Sequence, residues 1–137
     1  MSTFENPNFY LGMQETFSKV ITEGEAALFA GLVGVNSPRV VEEVDSATSE
    51  TQHRVYTLLM VGIIGGLLST RLPGAGSQCV NINYEFLAPI KCGDRIETTL
   101  ELVGFDPHKR LATYKANCFD QSKNQVITGQ AVMLVEA

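Results

Sequence analysis

Few residues in this chain are of a type and spacing that could do chemistry. His53 and Tyr56 stand three positions apart, one turn of a helix, and Asn36 and Ser37 lie ahead of them in a stretch broken by Pro38. A tyrosine can offer its phenol to a carbonyl oxygen, or pack its ring at a helix mouth. Ser37 can contact a ligand or cap its own turn. As a lone histidine near a helix start His53 reads as a surface residue rather than a proton carrier, and Asn36 reads the same way. Glu42, Glu43, Asp45 and Glu50 fall in the segment 36–52, which reads as a solvated surface excursion with room for one buried acid. Cys79, Cys92 and Cys118 are an odd, scattered set with no C-x-x-C pair, and neither His53 nor His108 has a partner at metal-ligand spacing. No metal and no other cofactor is expected, and the thiols are expected to be reduced in a cytoplasmic protein.

The element that must position these residues is the run VYTLLMVGIIGGLL, Val55–Leu68. It is apolar on every side, so the rest of the fold is expected to enclose it. The uncharged interval between Arg54 and Arg71 is 16 residues, short of the ~18 that suggest a membrane span. Gly62, Gly65 and Gly66 cost about 1 kcal/mol each against Ala, a loss tolerated where another backbone comes close. Phe17–Ile21 reads as a short strand. Thr22 and Glu25 form a capping box, and Ala26, Phe29, Ala30 and Val33 follow at helical spacing up to a stop at Gly34. Beyond the central helix, Leu72–Ser77 is Gly-rich but lacks the Gly-Lys-Ser/Thr ending of a phosphate-binding loop. It reads as a tight helix-to-strand turn, or as a loop over which an extended substrate arm passes. Val80, Ile82, Tyr84 and Phe86 alternate with Asn81, Asn83 and Glu85, and Arg95–Phe105, Arg110–Phe119 and Gln125–Glu136 follow across short turns. Such spacing predicts an antiparallel meander, with the last strand, apolar on both faces, lying centrally or at a subunit contact. The expectation is one α+β domain over residues 1–137, an antiparallel β-sheet wrapped around a long central α-helix. A net charge of −5 with no basic cluster argues against nucleic acid and anionic membranes as partners. No signal peptide is visible at the N-terminus.

Over nearly the whole chain the residues resemble the MaoC-like (R)-specific enoyl-CoA hydratases. LGMQETFSKVITEGEAALFAGLVG is similar to that family's opening, LLSTRLPGAGS to its helix end and Pro-Gly loop, NYEFLAPIKCGD to its second strand and ITGQAVMLV to its last. The resemblance implies a hot-dog fold, a dimer with its pocket at the subunit contact, and an acyl-thioester ligand. Family chemistry sits after the first helix in a motif G-D-x-N-P-x-H, whose Asp and His hold a water and add it across a trans-2-enoyl thioester. Here the matching residues are Gly34-Val35-Asn36-Ser37-Pro38-Arg39-Val40, so Val35 stands for the Asp, Ser37 for the Asn and Val40 for the His. The family's His-Gly at the start of the central helix is matched by Tyr56-Thr57. Backbone N–H near Thr57 and the neighbouring Leu58 are where the thioester carbonyl would bind. Pro73 and Gly74 would line the arm's path, and Arg39, Arg54 and Arg71 are the nearest cations for a CoA phosphate.

Two functions compete. The first is a non-catalytic acyl-thioester-binding protein, on acyl-CoA or an acyl carrier, as a homodimer or in a heterodimer with an active homologue. The second is an enzyme with a rewired site, a dehydratase, lyase or cyclase on an acyl or polyketide-like substrate, using Tyr56, Ser37, Asn36 or His53. A thioesterase fits less well, because no Asp or Glu on the first helix is expected to face the pocket.

Overall fold

The uncharged run folds as a helix that begins earlier than its composition suggests. In a computed structural model that describes residues 10–32, 50–74 and 76–135, with the side chains of 50–55 outside that description, the element order is β1 (Gln14–Val20), α1 (Glu23–Leu32), α2 (Glu50–Thr70), β2 (Gln78–Phe86), β3 (Arg95–Asp106), β4 (Leu111–Phe119) and β5 (Gln125–Leu134). Residues 50–52, read from the sequence as the end of a surface excursion, are thus the first turn of α2. They contain no Gly or Pro, and an acidic residue at a helix N-terminus complements the dipole. A polar leading turn carries no apolar period, so hydrophobic patterning does not see it.

The five strands form one antiparallel sheet in the order β1-β3-β4-β5-β2. The expected meander holds for β3, β4 and β5. Strand β2 does not pair with β3, its neighbour in sequence, but runs at the far edge beside β5. Strand β5 therefore lies inside the sheet between β4 and β2, which accounts for its two apolar faces.

Alternation sets the core. Ile96, Thr98, Leu100 and Leu102 of β3 and Ala112, Tyr114, Ala116 and Cys118 of β4 are all at most 1 % exposed. Against this face α2 lays Tyr56, Met60, Ile64 and Leu68, spaced by four and likewise at most 1 % exposed. The helix is not enclosed on all sides, however. Its opposite stripe is open: Leu58 is 52 % exposed, Gly62 and Gly66 are exposed, and a Cβ at Gly62, Gly65 or Gly66 would meet nothing within 4 Å. The close backbone neighbour expected at that glycine trio is not supplied by the described residues of this chain.

At the start of α1, Thr22 Oγ1 accepts the Glu25 N–H at 3.2 Å, which is the cap expected from the sequence. The second half of the box differs. The Glu25 carboxylate accepts the Thr22 hydroxyl at 2.7 Å and pairs with Lys19, and chiefly that lysine holds its pKa below the ordinary value. At the far end of α2 the Gly74 N–H donates to the Leu68 carbonyl at 3.0 Å, with Gly74 at φ +93°, a conformation that glycine adopts without strain. Among the described residues no helix is long and apolar enough to cross a membrane.

Candidate functional site

The central helix divides the candidate residues between its two ends. Asn36 and Ser37 lie outside the described residues, and so do Val35, Val40 and Arg39. His53 and Arg54 belong to the first turns of α2. Tyr56 is 1 % exposed and part of the main apolar cluster. Thr57 is half-buried. It was expected at the helix start, but with α2 beginning at Glu50 it lies about two turns inside. A helical N–H there is committed to the carbonyl four residues back, and only the first four amides of a helix are open to a ligand. The open helix amides among the described residues at this terminus are therefore those of residues 50–52.

Arg71, Pro73 and Gly74 sit past the opposite end. At a rise of about 1.5 Å per residue, the 15 positions from Tyr56 to Arg71 span roughly 22 Å, so the chain does not bring these groups to the Tyr56 end. Pro73 and Gly74 close the helix, and the Arg71 guanidinium lies 5.8 Å from the centroid of the Phe17 ring.

Between sheet and helix lie polar groups that the sequence reading did not single out. Thr98 Oγ1 and Cys118 Sγ are 3.3 Å apart and buried. Burial pushes the Cys118 thiol up to about 11, against a smaller opposing pull from the Thr98 hydroxyl. Such a thiol is neutral at physiological pH and a poor nucleophile. The Tyr84 and Tyr114 phenols have no hydrogen-bond partner among the described residues. Burial raises both their pKa values, with Cys79 and Cys118 adding to the effect at Tyr84 and Glu15 at Tyr114. They stay protonated, so each can donate its O–H or accept at its oxygen but does not serve as a phenolate base. The signal for Tyr114 was present as alternation: Ala112, Tyr114, Ala116 and Cys118 share a face, and the small neighbours leave room for a ring. Tyr84 lies across Gly129 of β5, which opposes it in the ladder. Among the described residues no group of three or more His, Cys, Asp or Glu side chains is placed to hold a metal.

No family model matches the chain. Its sequence is 35 % identical to an (R)-specific enoyl-CoA hydratase of Rhodospirillum rubrum over 127 residues, 92 % of this chain and 88 % of that protein. Among solved structures it is similar to the unliganded R-hydratase PhaJ1 of Pseudomonas aeruginosa, with a TM-score of 0.81 at 25 % identity, covering 98 % of this chain and 84 % of the other. It is also similar to the (R)-hydratase of A. caviae involved in PHA biosynthesis, with a TM-score of 0.81 at 27 % identity, covering 95 % and 99 %. On the sequence match and the shared layout of sheet and helix, the chain belongs to the (R)-specific enoyl-CoA hydratase family and has its hot-dog fold.

Proposed function

We propose that this protein is an acyl-thioester-binding member of the family in which ordinary enoyl-CoA hydration is lost, working as a binding module or as the silent partner of an active homologue. The observation that carries this reading is the pair Val35 and Val40 where the resemblance puts the family's Asp and His, in a chain 35 % identical to a hydratase over 92 % of its length. A valine neither titrates nor hydrogen-bonds through its side chain. Loss of one acid–base group costs a factor of ~10²–10⁴ in rate, and loss of a cooperating pair leaves no proton path to and from the water.

A second subunit is part of the proposal. Leu58 on the open stripe of α2 is 52 % exposed, and Ile82 and Phe86 of the edge strand β2 are 48 % and 51 % exposed. Both strand residues stand at ladder positions on the core side of the sheet. Apolar side chains facing the core side yet left in solvent are what a partner covers.

The test is hydration of crotonyl-CoA by the isolated protein, beside calorimetric titration with butyryl-CoA. The expected result is saturable butyryl-CoA binding with turnover at least ~10³ below that of a hydratase carrying the pair. Turnover comparable to such a hydratase would reject the proposal, and so would an absence of thioester binding. The double substitution Val35→Asp with Val40→His is expected to raise the hydration rate.

A further inference from the structure

On the flank of α2 that faces β1, a cavity of about 360 Å³ opens between helix and sheet. Phe17 comes from β1, Ile63 and Leu67 from α2, and Thr98 from β3 at its inner end, while Lys19 and Arg71 also line it. The exposed stripe of Leu58, Gly62 and Gly66 lies on a different face of the helix, its centre roughly a third of a turn from that of Ile63 and Leu67. Neither Tyr56 nor Thr57 lines this cavity.

We propose that this cavity is a binding site for a short-chain carboxylate, the free acid rather than a thioester. Three observations support it. Half of the lining is apolar, from Phe17, Met60, Ile63, Leu67 and Ile96, and the volume sits at the low end of the roughly 300–1,000 Å³ typical of ligand pockets, which suits a small chain and not a nucleotide-bearing ester. Charge at the cavity is positive and uneven. Lys19 is occupied by Glu25, whereas Arg71 has no carboxylate partner among the described residues and only the Phe17 ring beneath it. A guanidinium steadied over an aromatic face keeps its fork of N–H donors for a planar anion such as a carboxylate. At the inner end Thr98 is 1 % exposed and its only partner among the described residues is the Cys118 sulfur. That weak bond leaves the hydroxyl able to meet a polar group on the chain's far end. The site does not rest on the thioester reading: it uses no residue of the catalytic motif, and of the residues considered there for a thioester it shares only Arg71.

The experiment uses the full chain, hexanoate as probe and hexanamide as its neutral counterpart, followed by amide chemical shifts and calorimetry. Hexanoate is expected to bind about tenfold more tightly than hexanamide or better, as a charge-assisted contact predicts, with shifts confined to residues 16–19, 63–71 and 96–98. Arg71→Gln, at an exposed position, is expected to abolish the preference for the acid while leaving hexanamide binding as it was. Leu67→Trp, which fills the cavity, is expected to remove binding of both. Equal affinity for the two probes would overturn the proposal. So would an Arg71→Gln protein that binds hexanoate within about twofold of the parent, or shifts centred on Tyr56 and Leu58.

Discussion

Gly129 of β5 lies opposite Tyr84 of β2, and a side chain there has nowhere to go. A Cβ would overlap the Asn83 carbonyl oxygen and stand 2.7 Å from the Tyr84 Cα, both backbone atoms of a paired strand that cannot yield independently. Gly129→Ala is therefore expected to destabilise by about 2 kcal/mol or more through overpacking, read as a lower urea midpoint at unchanged slope. Cys118 gives a residue-scale prediction about pH. Its folded value, about 11, lies above the ordinary thiol value of 9.0, so the folded state favours the protonated form. That contribution, about 2 to 3 kcal/mol by linkage, is complete below pH 9 and is lost as pH rises from 9 through 11. The buried phenols of Tyr84 and Tyr114, also shifted upward, act in the same direction at higher pH. Urea stability should fall between pH 8.5 and about 10.5, with a shallower fall in Cys118→Ala. A flat profile would show that burial does not protect this thiol. With Ellman's reagent at pH 8, the exposed Cys79 and Cys92 should react and the buried Cys118 should not.

The first helix depends on how it begins. Its first N–H groups have no carbonyl partner within the helix, and Thr22 satisfies one of them at Glu25. Thr22→Ala is expected to cost about 1 kcal/mol, and Thr22→Ser much less, both measurable by thermal unfolding. The central helix behaves differently. Its stability comes from Tyr56, Met60, Ile64 and Leu68 packing on the sheet, not from propensity, since Gly62, Gly65 and Gly66 each weaken it. Its early start at Glu50 moves the open N–H groups away from Thr57.

At the scale of the whole molecule, the sheet has two edges, β1 and β2, and they are finished differently. Strand β1 carries Glu15 and Lys19 among its seven residues, and charge on an edge discourages pairing. Strand β2 has apolar Val80, Ile82 and Phe86 half exposed, and its outer N–H and C=O groups have no ladder partner among the described residues. The expected state is a dimer closed through β2 and the stripe of α2. Sedimentation should give twice the 14.9 kDa chain mass, and Ile82→Lys should shift the protein toward monomer without loss of secondary structure. A parent that sediments as a monomer at micromolar concentration would remove this part of the proposed function.

The sequence alone determined the features that depend on neighbours a few residues apart. Period-two runs marked β2 to β5, Thr22 and Glu25 marked the start of α1, and the valines at 35 and 40 stood out against an otherwise matching frame. Only the tertiary structure decided what depends on residues far apart in the chain. It placed β2 beside β5 and not β3, laid the Tyr84 ring over Gly129, joined Thr98 to Cys118, and left one stripe of α2 bare while a different face frames a cavity with β1. Local patterning records which way a side chain faces along its own element, whereas the partner it meets there is set by packing between distant segments, and both the cavity and the open stripe are products of that packing.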